Sequence, residues 1–212
     1  RRFSKLAEEY SQNTGWMMLN QASLTRQKSL SEQLWERKFW ESSPPILLNY
    51  QLNWINDKKK VKVGEKSRRI GISWADAADA AITSAKVNGM DVWYVGYNKD
   101  MSEQYIHDVA FWAKVFNFAC TAIEQSVIRD EDKDVLAFRV RFASGFKVTA
   151  LSSKPANLRS KKGSLRIDEA GFHSDLSELL KAAMAFLMWG GDVAIWSTHN
   201  GINNDFNKLI EE

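Results

Sequence analysis

The sequence alternates between strand-like and helix-like segments from residue 46 onwards, and this alternation is its most constraining feature. Five short runs have the apolar or alternating pattern of strands: residues 60–66, 91–97, 146–151, 164–168 and 192–197. Three longer runs have the pattern of helices: residues 72–87, 101–118 and 176–189. Because parallel strands need crossover connections, this order predicts an α/β fold with a mainly parallel sheet flanked by helices. Two further strands, at residues 126–129 and 135–142, flank a predicted acidic hairpin tip.

The first 45 residues have a different pattern, which is polar and helical. Ser29 and Glu32 have the spacing of a capping box, and Pro44 and Pro45 end the predicted helix because proline cannot continue one. We therefore predict an N-terminal helical appendage at residues 1–45 and an α/β domain at residues 46–212. Because the sequence lacks an initiator methionine and ends in a helical pattern, we expect it to be a piece of a longer protein.

Composition excludes several classes of protein. With 44% hydrophobic residues, 26% charged residues and 3 prolines, the chain has the make-up of a folded protein rather than a disordered one. The single cysteine excludes a disulfide framework and indicates a reducing compartment. The apolar stretch at residues 182–189 is far shorter than the roughly 18 residues that a membrane-spanning helix needs, so we predict no membrane span.

A basic loop joins the first predicted strand of the α/β domain to its first predicted helix: Lys66-Ser67-Arg68-Arg69-Ile70-Gly71-Ile72-Ser73. Phosphate-binding loops take this position because the free amides and the dipole of a helix N-terminus attract a phosphate. Gly71 allows close approach of the backbone, and Ser73 stands where the P-loop pattern has its magnesium-binding hydroxyl. The sequence therefore predicts a phosphate site, although a basic strand-to-helix turn with a helix cap gives the same pattern.

This loop departs from the P-loop pattern at two positions. Lys66 stands at the first glycine position, and Ile72 stands where the pattern has its lysine. The loop still has three cations within four residues, and Lys66 is the candidate to replace the missing lysine. If no cation replaces it, the chain is a degenerate nucleotide-binding or DNA-docking module without turnover.

Two later predicted strands end in polar side chains. One ends in Asp168 and Glu169, the arrangement that places an Asp near magnesium and a Glu beside the attacking water in nucleotide hydrolases. The other ends in Ser197, Thr198 and His199, which are candidates to sense a terminal phosphate. Because the carboxyl ends of neighbouring parallel strands meet at one edge, we expect both groups to lie beside the loop. The alternatives are a solvated strand end and ordinary turn chemistry.

The positive charge of the chain is unevenly distributed. The net charge is only +3, but one group of cations lies at residues 58–69 and a second at residues 154–166. We expect both groups to flank the phosphate site. Arg166 interrupts an otherwise apolar strand, so we expect it to lean toward the surface or to pair with an acid.

Taken in order, the three motifs resemble those of the ATPase half of large terminase subunits, the DNA-packaging motors of tailed bacteriophages, with Mu-like transposable phages as the nearest type. The loop at residues 66–73 is similar to the deviant Walker A motifs that begin with a lysine. Residues 165–169 resemble Walker B with its catalytic glutamate, and residues 197–199 resemble the coupling motif. Tyr50 and Gln51 resemble the glutamine motif that recognises adenine. The resemblance covers about residues 46–212.

This resemblance implies a RecA-like P-loop NTPase fold and an ATPase that uses ATP and Mg²⁺ to move double-stranded viral DNA into a procapsid. It implies that Lys66 and the loop amides hold the phosphates, and that Ser73 and Asp168 hold the metal ion. Glu169 would orient the attacking water, while residues 197–199 report the phosphate state. The family also implies an arginine finger, for which Arg159 and Arg68 are rival candidates.

The resemblance further implies partners and a second domain. It predicts a ring of copies of this chain that contacts a portal protein and a small terminase subunit, at the procapsid vertex in the bacterial host cytoplasm. Full-length large terminases carry a nuclease domain after the ATPase, so we expect ATP hydrolysis without DNA cleavage from this piece. The same motif order also fits a helicase-like, nucleic-acid-dependent ATPase, which strand displacement on forked duplex DNA would distinguish.

Overall fold

The computed structural model describes residues 46–116, 118, 120, 124–130, 133–152, 158 and 160–211. The predicted appendage at residues 1–45 and the candidate finger Arg159 therefore lie outside the described residues. Within the part of the chain that is described, no helix is long and apolar enough to cross a lipid bilayer.

The described residues form α-helices and strands that alternate for most of the chain. The helices are α1 (Asn49–Asn56), α2 (Ile72–Ala85), α3 (Lys99–Val115), α4 (Leu176–Met188) and α5 (Asp205–Glu211). The strands are β1 (Val61–Glu65), β2 (Val92–Gly96), β3 (Glu124–Asp130), β4 (Lys133–Arg141), β5 (Lys147–Ser152), β6 (Ser164–Asp168) and β7 (Asp192–Ser197). Every strand and helix predicted between residues 60 and 197 is present, with ends that differ by a few residues at most, whereas no helix was predicted at α1.

All seven strands belong to one sheet, in the order β1-β7-β6-β2-β5-β4-β3. The pairs from β1 to β5 along this order are parallel, while β4 and β3 extend one edge as an antiparallel hairpin. The predicted mainly parallel α/β fold is therefore confirmed. The hairpin can be antiparallel because a short turn joins its strands, whereas each parallel step needs a crossover.

Helices cover both faces of the sheet and make three layers. Side chains alternate between the faces along each strand, so Tyr94 and Trp196 pack with α2 and α3 in one buried cluster. Val95 and Ile195 lie on the other face, in a cluster with α4 and with Phe206 of α5. The strands at the centre are buried on both faces, which explains their nearly continuous apolar sequences.

Arg166 is the one charged side chain in strand β6 before its end. Of the two predicted arrangements, exposure at the surface or pairing with an acid, the structure has the pairing. Its guanidinium is 2% exposed and lies 3.3 Å from Asp76, 3.2 Å from Asp79 and 2.7 Å from Asp192. Burial opposes the charge of Arg166, but these three carboxylates outweigh burial and raise its pKa. A buried charge surrounded in this way is compensated, so the strand keeps its central place despite the arginine.

Candidate functional site

The predicted residues lie together at the carboxyl ends of three strands. β1, β7 and β6 are parallel neighbours, so their carboxyl ends point the same way. Lys66 follows β1, and its amide donates to the carbonyl of Ser197 at the end of β7, over 3.0 Å. The first turn of α2 faces the same edge, because the Ser73 hydroxyl reaches Asp168 at the end of β6.

Helix α1 holds the loop between β1 and α2 in shape. The Gln51 amide donates to the carbonyls of Ile70 and Gly71 at 3.2 and 3.0 Å, and the Tyr50 hydroxyl donates to the Ile70 carbonyl at 2.6 Å. Gly71 has a φ of +72°, and a Cβ there would lie 2.7 Å from Gln51 Nε2. Both the left-handed backbone and the close approach of Gln51 therefore favour glycine at this position.

The side chain of Gln51 is fully used within the protein. It is buried, and its oxygen accepts a hydrogen bond from the Leu48 amide at 2.9 Å while its nitrogen donates to the loop. In this structure Tyr50 and Gln51 thus contact the loop between β1 and α2. Recognition of adenine by these two residues stays a prediction.

Lys66 and Glu169 form an ion pair across the site. The Lys66 ammonium lies 2.6 Å from Glu169 Oε1, and both side chains are largely shielded from solvent. Burial opposes ionisation of Glu169, but the hydrogen bond from Lys66 and its charge outweigh burial and lower the pKa of this carboxyl. Glu169 itself has a φ of +49°, a left-handed conformation that is uncommon for a side chain of this kind.

Asp168 is buried and accepts hydrogen bonds on both carboxylate oxygens. Oδ2 accepts from the Ser73 hydroxyl at 2.5 Å and from the Tyr94 hydroxyl at 2.8 Å, and Oδ1 accepts from the Glu169 amide at 2.7 Å. Burial raises the pKa of Asp168 to about 6, although the hydrogen bonds from Ser73 and Tyr94 act in the opposite direction. The Asp168 carbonyl contacts the His173 ring Nε2 at 2.8 Å.

The third motif contacts Glu169 through Thr198 and, at 3.5 Å, through the Ser197 hydroxyl. The Thr198 amide and hydroxyl donate to Glu169 Oε2 at 3.3 and 3.2 Å. Ser197 Oγ accepts from the Gly171 amide at 3.0 Å and donates to the Thr198 carbonyl at 2.7 Å. Any movement of Glu169 therefore changes contacts in the segment that follows β7.

A cavity of about 500 Å³ opens beside the loop, between α1 and the outer strand β1. Its lining includes Tyr50, Trp54, Lys66, Ile70 and Trp196. The Trp196 indole N–H also donates to Ser73 Oγ at 3.2 Å, so the cavity wall and the first turn of α2 are directly joined. This apolar space next to the predicted phosphate site has the size of a pocket for a small organic group.

The residues present fit a magnesium ion that is shared with a nucleotide. Magnesium in such sites takes one or two protein oxygens and completes its shell with phosphate oxygens and water. Ser73 and Asp168 supply one hydroxyl and one carboxylate within hydrogen-bonding distance of each other. Among the described residues there is no group of three or more His, Cys, Asp or Glu side chains that would hold a metal ion without such a ligand.

The sequence places this chain among known relatives. It is 48% identical over 170 residues, 79% of the chain, to the Mu-like prophage FluMu protein gp28 of Haemophilus influenzae. It is 45% identical over 175 residues, again 79% of the chain, to the "Probable terminase, large subunit gp28" of Escherichia phage Mu. The chain belongs to the family of Mu-like terminase large subunits. It spans about a third of the length of these two relatives, 34% and 32%, and no family model matches it.

Solved structures with a similar fold identify the fold of this terminase-family chain. Two structures of the large terminase ATPase domain of Thermus phage P74-26 match 81% and 78% of it, with TM-scores of 0.52 and 0.51. The match covers 72% and 70% of those chains, at 19% and 20% identity. The likeness shows the fold, and the predicted RecA-like fold of a terminase ATPase domain is confirmed.

The structure brings together only part of the predicted terminase site. Lys66, Ser73, Asp168, Glu169 and Thr198 form one connected group. The Ile72 side chain instead packs into the core, so the position where the P-loop pattern has a lysine is apolar and buried. Other predicted residues lie further out: Ser67, Arg68 and Arg69 are exposed, and His199 pairs with Glu65 at 2.6 Å.

The expectation that the basic groups flank the phosphate site stays a prediction. Lys59 and Lys62 line the same cavity as Lys66, although they precede or begin β1 whereas Lys66 follows it. Lys60 donates to the Gly190 carbonyl before β7 begins, and Lys62 is buried beside Asp79. Local charge pairing at the start of β1 therefore accounts for much of this basic run.

Two residues of the site were not found from the sequence. Tyr94 donates to Asp168, and His173 contacts the Asp168 backbone. The signal for Tyr94 was a phenol in an otherwise apolar strand, since a buried hydroxyl needs a partner. The partner itself depends on the strand order, which places β2 beside β6.

Proposed function

We propose that this domain hydrolyses ATP with Mg²⁺ and that hydrolysis powers translocation of double-stranded viral DNA into a procapsid. One observation carries the proposal: Ser73, Asp168, Glu169 and Lys66 form a single hydrogen-bonded group at the N-terminus of α2. This is the set of groups that phosphoryl transfer to water requires. Family membership and the terminase ATPase fold support the same assignment.

In the proposed mechanism, the loop amides and Lys66 bind the phosphates of ATP. Ser73 and Asp168 hold Mg²⁺, which when bound neutralises charge on the phosphate oxygens. Glu169 orients a water and accepts its proton as the water oxygen bonds to the γ-phosphorus and the bond to ADP breaks. Arg68, which is exposed, or Arg159 is the proposed finger that stabilises the transferring group, in its own or in a neighbouring copy of the chain.

The Lys66–Glu169 ion pair gives this mechanism an order. Lys66 lies 2.6 Å from Glu169 in this structure, and the proposed first step is that phosphate binding draws the ammonium away from this carboxylate. Glu169 is then free to take a water in place of the ammonium. Thr198 follows, because its amide and hydroxyl both donate to Glu169, and it is the proposed start of coupling to movement.

Partners are proposed on the family alone. A ring of copies of this chain, a portal protein and a small terminase subunit would act with it at the procapsid vertex in the host cytoplasm. Cleavage of DNA is not proposed for this piece, because we expect the nuclease chemistry to belong to another part of the full-length protein.

The test is ATP turnover by wild type, Glu169→Gln and Lys66→Ala. Positioned acid–base groups contribute about 10²- to 10⁴-fold, so we expect a loss of that size in Glu169→Gln. Lys66→Ala should weaken nucleotide binding as well as turnover. The matched controls are Glu178→Gln and Lys181→Ala, which break another Glu–Lys pair on exposed α4. Unchanged turnover in both site variants would contradict the assignment.

A second candidate, a nucleotide-binding module without turnover, is favoured by one observation. Ile72 occupies the usual lysine position and is buried in the core, so another cation of the loop, such as Lys66, would have to replace that lysine for turnover. Measurable ATP affinity without phosphate release, with DNA and the full-length protein present, would support this second candidate over the first.

A further inference from the structure

The hydroxyl of Tyr94 reaches the predicted metal site from inside the sheet. Tyr94 lies in the middle of β2 and is 1% exposed, and β2 pairs with β6 so that Tyr94 is opposite Arg166. Its side chain extends toward the carboxyl end of β6, where the hydroxyl donates to Asp168 Oδ2 at 2.8 Å. The contact joins the second strand of the domain to the carboxylate proposed to hold Mg²⁺.

A buried network fixes the position of this hydroxyl. The Tyr94 ring stacks on Tyr105 of α3, with ring centroids 3.7 Å apart and planes 12° apart. The Tyr105 hydroxyl donates to Asp76 at 2.7 Å, and Asp76 also accepts from the Trp54 indole at 2.9 Å. Because Tyr94, Tyr105 and Asp76 are all almost fully buried, the phenol has little freedom to turn away from Asp168.

Ser73 also donates to Asp168 Oδ2 in the present structure, but its own oxygen is a proposed metal ligand. When Ser73 turns its oxygen toward an ion, its hydrogen bond to Asp168 is altered. The hydrogen bond from Tyr94 comes from a fully buried side chain that is no proposed metal ligand, so it does not have to change.

We propose that Tyr94 is a positioning residue, whose hydroxyl holds the Asp168 carboxylate in the orientation that Mg²⁺ binding requires. The inference rests on the proposed function, because it assigns Asp168 to the metal. Groups that orient a metal ligand in this way typically change metal affinity or activity by about 10- to 100-fold when they are removed.

The chain offers a closely matched control. Tyr94→Phe and Tyr105→Phe each remove one buried hydroxyl that donates to one buried aspartate, and each keeps the stacked ring pair. Of these two tyrosines, only Tyr94 contacts the carboxylate of the proposed metal site. A general effect of losing a core hydrogen bond is therefore common to both variants, whereas an effect on the metal belongs to Tyr94→Phe.

The experiment measures equilibrium binding of a fluorescent, non-hydrolysable ATP analogue while Mg²⁺ is titrated, and again in EDTA. We expect Tyr94→Phe to raise the half-saturating Mg²⁺ concentration about 10- to 100-fold, with affinity in EDTA within twofold of wild type. Tyr105→Phe should stay within twofold in both conditions. Thermal unfolding midpoints should fall by similar amounts in the two variants.

A double variant tests whether Tyr94 acts through Asp168. Tyr94→Phe added to Asp168→Ala should cause no further loss of Mg²⁺-dependent binding, because the carboxylate that it acts through is gone. Wild-type Mg²⁺ dependence in Tyr94→Phe, or an equal shift in Tyr105→Phe, would overturn the inference alone. Analogue binding by wild type that does not depend on Mg²⁺ would overturn the proposed function, and this inference with it.

Discussion

At the scale of single residues, Gly71 shows how tightly the loop packs against helix α1. The residue has a left-handed backbone and lies against Gln51, which holds the loop carbonyls. The P-loop pattern predicted glycine here for approach to phosphate. The structure adds a second reason, since the amide of Gln51 occupies the space where a Cβ would stand.

We expect Gly71→Ala to destabilise the protein by about 1 to 3 kcal/mol and to weaken ATP binding, because the added Cβ strains the left-handed backbone and displaces the Gln51 amide from the loop carbonyls. Gly145→Ala is the matched control: it also has a positive φ, +92°, but no atom lies within 4 Å of its added Cβ. Urea unfolding and nucleotide titration check both variants. Equal effects in the two variants would mean that backbone strain, and not the contact with Gln51, accounts for the loss.

The sequence predicted individual site residues wherever a chemical pattern was local. Ser73, Asp168 and Glu169 were found because each has a fixed place relative to a strand end or a helix start. Tyr94 was not found, because its role depends on which strand lies next to β6. A contact between residues far apart in the chain cannot be inferred from the spacing within one segment.

At the scale of elements, strand β6 can be buried only because acids from neighbouring elements compensate the charge of Arg166. The strand was predicted to within a residue of its observed ends, yet the buried charge at its centre required the acids of α2 and β7 to be in place. Sequence patterns report the periodicity of each element. They do not report which charged groups will face one another across a packed layer.

We expect Arg166→Met to destabilise the fold by about 3 to 5 kcal/mol, because it removes the ion-pair partner of the buried Asp76 and leaves Asp79 with Lys58 and Lys62 alone. Arg141→Met is the control, since Arg141 pairs with Glu124 at an exposed position where an ion pair contributes about 0 to 1 kcal/mol. Urea denaturation of the two variants measures the difference. A loss of 1 kcal/mol or less in Arg166→Met would show that the acids find other compensation.

Helix α1 is the element that sequence patterns missed. It has only eight residues, and its N-terminus is closed by Gln51 instead of a Ser or Asp cap. Its function is clear only in three dimensions, where Tyr50 and Gln51 contact the loop and Trp54 contacts Asp76.

At the scale of the whole molecule, the alternation of strands and helices was sufficient to predict the layered fold. Crossover connections leave few ways to arrange a parallel sheet, and they bring the strand ends together at one edge. The order of the strands, the antiparallel extension and the network under the site were beyond that reasoning. They depend on packing between segments that are distant in sequence.

Folding stability should depend on metal and nucleotide together. A ligand at 100 times its Kd stabilises a folded protein by about 2.7 kcal/mol, so wild type should gain thermal stability with Mg²⁺ and an ATP analogue. Ser73→Ala should lose most of the Mg²⁺-dependent part of that gain. Ser84→Ala, in the same helix but bonded to the Met90 and Lys147 carbonyls, should keep it. Differential scanning fluorimetry with and without EDTA measures the gain, and equal gains would contradict the role of Ser73.

The hydrogen bond from Trp196 to Ser73 makes the indole an optical reporter built into the domain. Because indole emission responds to the hydrogen bond at its nitrogen, rotation of the Ser73 hydroxyl toward an ion changes the light emitted by a tryptophan that is fully buried. The other tryptophans add a background that a Trp196→Phe variant subtracts. Stopped-flow tryptophan fluorescence can therefore follow binding of Mg²⁺ and nucleotide at the site in real time, on the unlabelled protein.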